Sequence, residues 1–282
     1  MIPRQTDNSM KANPMPADTI GRTNRRQLLA TAAVGLPAAY LLGRSSGPAA
    51  AATSRKIEIT AADGHKMTAW RADPAGTPKG GIVILHAVFG LTAHMGDVCA
   101  RWADAGYTAI APAVFDRIKR DIVHPYTVDG VNAGSQSYAD VGETKILADI
   151  QAAVAAAGAP GRVAMSGFCT GGSWSWRAAA EFNFPAQVNF YGSHVHTPEL
   201  FDRNPKCPTI MHYGDADMVV PMPQVERIRA RHPTVEMNIY PGAPHAFLNP
   251  DQASYKAQAA ALAWPRSIAF MDKHLDKKVS VR

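Results

Sequence analysis

Apolar and polar positions along the chain predict alternating strands and helices. Residues 55–60 and 66–71 alternate like strands around an Asp63-Gly64 turn, which predicts a hairpin. Short apolar runs typical of buried strands follow at 82–85, 107–111, 162–166, 187–191, 209–213 and 236–240. Helical segments lie between or after them, at 97–105, 141–157, 172–182, 223–231 and 254–274, the last interrupted or kinked near Pro265. The order predicts an α/β fold with a mainly parallel sheet, flanking helices and an N-terminal antiparallel hairpin.

One stretch, residues 116–137, shows neither the strand nor the helix period. We therefore expect a long loop there. Loops of that length are uncommon inside compact domains and are often functional, so we interpret this segment as a candidate lid.

Residues 1–52 have the parts of an export signal. Arg25-Arg26 precedes a moderately apolar run at 30–42, and small residues lead to Ala50-Ala51-Ala52, an A-x-A type of cleavage site. The paired arginines point to the Tat route. We expect a leader at 1–52, a single domain at 53–282, and a periplasmic or secreted protein whose precursor engages the Tat machinery. The alternative is a cytoplasmic protein with a disordered tail.

The composition is that of an ordinary globular domain. The chain has 282 residues, 46% of them hydrophobic and 18% charged, which is enough for one sizeable core. Residues 1–52 carry six basic and two acidic side chains and so account for +4 of the formal net charge of +6. No basic stripe remains to suggest a nucleic-acid partner, and no run is long and apolar enough to predict stable membrane insertion.

The most informative motif is Gly167-Phe168-Cys169-Thr170-Gly171, between a predicted strand and a predicted helix. It has the G-x-nucleophile-x-G form of a nucleophile elbow, with cysteine as the nucleophile. Glycine is needed around such a strained turn because it adds no side chain. The following helix directs its N-terminus at Cys169, which favours the thiolate. A buried core cysteine is the competing interpretation.

Partners for Cys169 follow it in the chain order of α/β-hydrolases, nucleophile, acid, histidine. Asp217 and His245 each come just after a predicted strand, where open α/β sheets place their sites. Asp215 competes with Asp217 for the role of the acid, although it could instead cap the following turn. In the expected mechanism His245 takes the thiol proton, Asp217 orients the imidazole, and the thiolate attacks an ester or lactone carbonyl.

Other candidate side chains carry weaker signals. The other two cysteines, Cys99 and Cys207, could pair after export, but buried free thiols are the preferred interpretation. His194 and His196 have the spacing of metal ligands on a strand, yet no third ligand with a matching context follows, so we expect pocket-lining or solvated side chains. The same interpretation covers His86, His94 and His212. We therefore expect neither a metal ion nor a cofactor.

The motifs together resemble the dienelactone hydrolase family. The resemblance spans most of residues 55–275 and is carried by the elbow, by Phe89-Gly90-Leu91, by residues 106–117 and by Pro244-His245-Ala246-Phe247. It implies an α/β-hydrolase fold, carboxymethylenebutenolidase-like activity and a Cys169–Asp217–His245 triad. It also implies an oxyanion hole formed by the backbone amides of Val88 and Thr170, and a substrate carboxylate bound by Arg117. Phe89 and His86, in the oxyanion loop, are further candidates for substrate binding.

Three positions depart from the pattern of that family. Ala87 stands where the family often has a glutamate that tunes the nucleophile, and Ala246 and Asn249 stand where well-studied members have serine and arginine. The triad is kept, but two polar groups that would hold a dienelactone carboxylate are absent. A small-molecule ester or lactone is therefore the expected substrate class, and a non-catalytic binding protein on a hydrolase scaffold is the alternative.

Overall fold

The computed structural model describes residues 51–159 and 161–275. The strands are β1 (Ser54–Thr60), β2 (Lys66–Ala72), β3 (Gly80–Leu85), β4 (Tyr107–Pro112), β5 (Val163–Phe168), β6 (Gln187–Phe190), β7 (Thr209–Gly214) and β8 (Glu236–Tyr240). The α-helices are α1 (Ala93–Asp104), α2 (Val128–Val141), α3 (Glu143–Ala157), α4 (Thr170–Glu181), α5 (Pro198–Phe201), α6 (Met222–Arg231) and α7 (Ala257–Leu275), and a 3-10 turn spans Val114–Arg117. No helix in these ranges is long and apolar enough to cross a membrane.

All eight strands form one sheet in the order β1-β2-β4-β3-β5-β6-β7-β8. The β1–β2 hairpin and the β2–β4 pair are antiparallel, and the other neighbours run parallel. This confirms the predicted mainly parallel sheet with an N-terminal hairpin. The carboxyl ends of β5, β7 and β8 consequently lie at the same edge of the sheet, where candidate residues follow each of them.

Both faces of the sheet are covered, so the core has two layers. Along β3, Ile82 and Ile84 belong to a buried cluster that includes side chains of α1 and α7. Val83 and Leu85 belong to a second cluster that includes side chains of α2 and α3. Successive side chains of a strand point to opposite faces, which explains why a continuous apolar run supplies both layers.

Part of the predicted loop at 116–137 is helical, and this prediction is wrong. Helix α2 begins after Thr127, whose hydroxyl accepts a hydrogen bond from the Gly130 amide at 3.1 Å. The buried face of α2 is formed by Gly130, Gly134, Ser137, Tyr138 and Val141. That spacing is helical, but glycine and serine supply most of the face. It therefore carries little of the hydrophobic signal from which a helix is predicted.

Smaller differences concern the ends of elements. The predicted helix at 141–157 is divided at Gly142, where a positive φ of 79° ends α2 before α3 begins. Helix α1 begins at residue 93 rather than 97, and α7 continues through Pro265.

Cys99 and Cys207 are free thiols, in agreement with the preferred interpretation of the sequence; Cys99 is buried and Cys207 is half-buried. The predicted leader, except for Ala51 and Ala52, lies outside the described residues, so it stays a prediction.

Candidate active site

Cys169 lies on a tight turn between β5 and α4, as the elbow motif predicts. Its backbone has φ 54° and ψ −122°, a conformation that a side-chain-bearing residue rarely adopts. The glycines around it are required sterically. A Cβ at Gly167 would overlap the Gly171 carbonyl, and a Cβ at Gly171 would overlap the carbonyl oxygens of Leu85 and His86. The chain therefore folds back on itself closely enough to present the thiol at the start of α4.

Asp217, rather than Asp215, contacts the candidate histidine. The Asp217 Oδ2 atom lies 2.8 Å from Nδ1 of His245, and the Asp217 side chain has no exposed surface. Its other oxygen accepts hydrogen bonds from the backbone amides of Val219 and Val220 at 2.8 and 2.9 Å. Asp215 instead accepts a hydrogen bond from the Gly242 amide. The Asp217 carboxylate is thus fixed by its own turn and orients the imidazole.

Thiol and imidazole influence each other's ionisation. Burial favours the neutral Cys169 thiol, but the charge of His245, with hydrogen bonds from Ser193 and the Thr170 amide, places the Cys169 pKa below its usual value. Burial opposes charge on His245 as well, but the Cys169 thiolate and the bond to Asp217 raise the pKa of His245 to about 10. Each group therefore stabilises the charged form of the other, the thiolate of Cys169 and the imidazolium of His245.

Two backbone amides are available next to the thiol. Thr170 is the first residue of α4, and Val88 lies in the loop after β3. Among the described residues, the Val88 amide has no hydrogen-bond partner, and the Thr170 amide donates to the Cys169 sulfur. Both residues line the same cavity as Cys169. Both amides are candidates for an oxyanion hole, since backbone donors beside a nucleophile can stabilise the charge that develops on a carbonyl oxygen.

A hydroxyl network that the sequence analysis did not identify adjoins the thiol. Thr170 Oγ1 lies 3.9 Å from the Cys169 sulfur and 3.4 Å from Ser193 Oγ, which in turn lies 2.8 Å from Nδ1 of His194. Ser193 follows β6, the strand paired with the nucleophile strand β5. A polar residue at the end of a neighbouring parallel strand was the signal that could have indicated it.

Most of the candidate residues lie at a cavity of about 470 Å³. Cys169, His245, Val88 and Thr170 line it, and α2 covers part of it with Val131 and Ser135. Phe89 also lines it, with its ring edge-on to Tyr126 at a centroid distance of 4.6 Å. The predicted lid segment is thus next to the site, although part of it is a helix. This volume is suitable for a small molecule.

The structure does not bring Arg117 to this cavity. Its guanidinium pairs with the fully buried Asp149 at 2.6 Å and with Asp63 at 2.5 Å, and it is not part of the cavity wall. We therefore correct the prediction that Arg117 binds substrate: both carboxylates engage it and hold the β1–β2 turn to α3. His86 also does not reach the cavity. It is fully buried, with Nδ1 donating to the Ala87 carbonyl at 2.7 Å, and burial lowers its pKa to about 4.

Positions that depart from the family pattern line the cavity. Ala87 contributes a methyl group where a carboxylate could have stood, and Ala246 follows His245 with a positive φ of 61°. Asn249 donates a hydrogen bond from Nδ2 to the Tyr126 hydroxyl at 3.2 Å. His194 and His196 also line the cavity. Within the described residues, however, no group of three or more histidine, cysteine, aspartate or glutamate side chains is arranged to hold a metal ion.

The sheet order, the elbow after β5 and the positions of Asp217 and His245 after β7 and β8 define an α/β-hydrolase. Comparison with known proteins narrows this class. The model of the dienelactone hydrolase family matches residues 67–275. The chain therefore belongs to the dienelactone hydrolase family.

Individual relatives support the same family assignment. A Methylorubrum extorquens protein named "Putative carboxymethylenebutenolidase" is 33% identical over 230 residues, covering 75% of this chain and 78% of that protein. The carboxymethylenebutenolidase of Pseudomonas putida is 27% identical, covering 79% of this chain and 98% of that protein. The crystal structure of a "Putative Dienelactone Hydrolase" from Klebsiella pneumoniae, 28% identical, covers 78% of this chain and 99% of its own, with a TM-score of 0.65. The chain is an ester or lactone hydrolase of this type.

Proposed function

We propose that the protein hydrolyses a small ester or lactone through a thioester on Cys169. The observation that carries this proposal is the His245–Asp217 bond of 2.8 Å beside a cysteine with a lowered pKa, at the wall of one cavity. The thiolate attacks the carbonyl carbon, and the Val88 and Thr170 amides receive the oxyanion. The His245 imidazolium then gives its proton to the departing alkoxide. Neutral His245 next takes a proton from water, which attacks the thioester and releases the acid.

Hydrolysis of p-nitrophenyl acetate by wild type and by Cys169→Ala tests the proposal. We expect the variant to lose at least ~10³-fold in kcat, because no nucleophile remains. Cys169→Ser should be strongly impaired but measurable, since a hydroxyl is far less acidic than a thiol. Cys207→Ala is the matched control and should retain activity.

Mass spectrometry identifies the thioester directly, as a wild-type adduct with the mass of an acetyl group that is absent from Cys169→Ala. Equal turnover by wild type and Cys169→Ala would exclude it.

The alternative, a non-catalytic binding protein, is not favoured. It was suggested by Ala87, Ala246 and Asn249, which lack the polar groups expected of the family. A binding protein has no need for a strained cysteine beside a histidine–aspartate pair. The same three replacements are consistent with a hydrolase whose substrate differs from dienelactone.

We also propose that the precursor is exported by the Tat pathway and acts in the periplasm or outside the cell. Support comes from Arg25-Arg26, the apolar run at 30–42 and the small residues that precede residue 53. Fractionation of cells that express the full chain tests it: changing both arginines to lysine should leave the enzyme in the cytoplasm. An unchanged distribution would favour a cytoplasmic enzyme.

A further inference from the structure

The catalytic cavity has no cationic side chain that could pair with a charged substrate. Among the described residues that form its wall there is no lysine, arginine, aspartate or glutamate. His94, His194 and His196 line it, but burial lowers the pKa of each, so they are neutral at neutral pH. Among the described residues of the wall, only His245 has a raised pKa, to about 10, and its imidazolium already faces Cys169 and the Asp217 carboxylate.

A carboxylate on the substrate would therefore find no free cationic partner among the described residues of this cavity. With Cys169 as a thiolate, Cys169, the His245 imidazolium and the Asp217 carboxylate together carry one net negative charge, and with a neutral thiol they carry none. A further anion in the same cavity would lose hydration without gaining a cationic partner in either state, and it would in addition be repelled by the thiolate. Arg117, the cation expected there from sequence, is occupied by Asp63 and Asp149.

The polar groups of the cavity are instead neutral amides and hydroxyls. Asn249 and Gln252 line one part of it, next to Tyr126 and Thr92. The Asn249 amide donates to the Tyr126 hydroxyl at 3.2 Å. The side chain of Gln252 makes no hydrogen bond within the described part of the chain, so it can both donate to and accept from a ligand. Such groups pair with an amide, hydroxyl or ether without a charge on either partner.

An adjoining cavity of about 390 Å³ does not change this balance. It shares Ser135, Thr170 and His194 with the catalytic cavity. Its charged lining consists of two arginines and two glutamates, namely Arg177, Arg203, Glu143 and Glu199. Arg177 is paired with Glu143 at 2.5 Å and with Glu181 at 2.7 Å. A second cavity with equal numbers of cations and anions offers no net positive charge for a substrate carboxylate.

We propose that the enzyme is selective for uncharged esters or lactones whose remote polar group is neutral, and that it discriminates against substrates with a carboxylate. The proposal rests on the hydrolytic function proposed above and names its substrate class. It follows from the charge of the cavity wall and not from the identity of any single residue.

A matched pair of esters tests the selectivity. Ethyl succinamate and monoethyl succinate have nearly the same shape, but at pH 8 the second carries a carboxylate where the first carries an amide. We expect kcat/KM of the wild-type enzyme to be about 100-fold higher for the amide, from repulsion and lost hydration. The variant Asn249→Arg should narrow that ratio at least tenfold, whereas Asn249→Gln, which adds length without charge, should keep it. An equal kcat/KM for both esters, or a preference for the carboxylate, overturns the proposal.

Binding separates this proposal from the catalytic one. In Cys169→Ala the thiolate is absent and the His245–Asp217 pair is neutral overall, but the other described residues of the cavity wall still offer no cation to a carboxylate. The variant should therefore still bind the amide ester more tightly than the carboxylate ester in calorimetry, because the carboxylate loses its hydration without gaining a cationic partner. If the wild type hydrolyses neither ester, the binding preference still decides on selectivity, and the p-nitrophenyl acetate assay decides separately on catalysis. Equal binding, tighter binding of the carboxylate, or no binding of the amide contradicts the proposed selectivity. A carboxylate preference that disappears in Arg203→Gln would place the anion in the second cavity.

Discussion

Backbone strain in this protein is concentrated at single residues of the site. Among the described residues, four other than glycine have a positive φ, and three of these, Cys169, Tyr191 and Ala246, line the catalytic cavity. Such conformations cost on the order of 1–3 kcal/mol each and persist where the surrounding structure imposes them. The strained turn at Cys169 places this residue in the cavity wall, and the strained residue Ala246 directly follows the candidate histidine, His245.

The coupled ionisation of Cys169 and His245 leads to a prediction for thiol reactivity. Iodoacetamide should alkylate wild-type Cys169 readily at pH 7, whereas in His245→Ala the Cys169 pKa should rise and the rate at pH 7 should fall about tenfold or more. Mass spectrometry after timed quenching measures this.

Cys207 and Cys99 are internal controls. Burial raises the pKa of Cys207 to about 11 and that of Cys99 further still, so both should stay unmodified. The same alkylation rate for Cys169 in wild type and variant would show that His245 does not influence the thiol.

At the scale of elements, α2 is the segment whose position depends most on close packing. It covers part of the cavity and approaches the loop after β3 at Gly134, where a Cβ would overlap the Val88 carbonyl oxygen. Backbone contact at this point is possible only without a side chain. The helix therefore packs against the backbone of Val88, whose amide we propose as an oxyanion donor.

Gly134→Ala should disturb the site through this contact. Overpacking of this kind costs about 1–3 kcal/mol of stability. Displacement of Val88 should in addition lower kcat for p-nitrophenyl acetate by ~10-fold or more, because the proposed oxyanion donor moves.

Gly76→Ala is the control, because Gly76 has open space around its Cβ position and no positive φ, and this variant should be nearly neutral. Chemical denaturation and steady-state kinetics report the two effects. Retention of full kcat in Gly134→Ala would mean that α2 does not position Val88.

At the scale of the whole molecule, buried polar contacts tie distant parts of the chain together. His212, on β7, lies 2.7 Å through Nδ1 from the Tyr240 hydroxyl on β8 and 3.0 Å through Nε2 from the Ser267 hydroxyl on α7. Burial lowers the pKa of His212 to about 3, so the folded protein keeps this ring neutral. These bonds join β7 and β8, the two strands that precede Asp217 and His245, to the last helix.

This buried histidine predicts loss of stability in acid. Between about pH 6.5 and pH 3 the unfolded state binds a proton that folded His212 does not, so the free energy of unfolding falls as the pH is lowered through that range. The slope is at most about 1.4 kcal/mol per pH unit for one such group. Urea denaturation of wild type and His212→Gln between pH 7 and pH 4 measures it. The variant should show a shallower slope, and identical slopes would assign the acid sensitivity to other groups.

Much of the fold could be predicted from sequence because its signals are local. The apolar runs that became β3, β5 and β7 identify buried parallel strands by themselves, and Gly106 and Gly158 mark helix ends. Helix α2 could not be predicted in this way. Its buried face of glycine and serine packs by close backbone approach, which depends on a neighbouring loop and not on hydrophobicity.

The sequence by itself determined the elbow at Cys169 and the order of Asp217 and His245 after their strands. The reason is that glycine spacing and strand ends are properties of short segments. Only the tertiary structure decided that Arg117 is held by Asp63 and Asp149, and that Ser193 adjoins the thiol. It also decided that the described residues of the cavity wall include no aspartate, glutamate, lysine or arginine. Each of these depends on contacts between segments far apart in the chain. Pairing and burial, which fix the charge of a site, arise when those segments pack together.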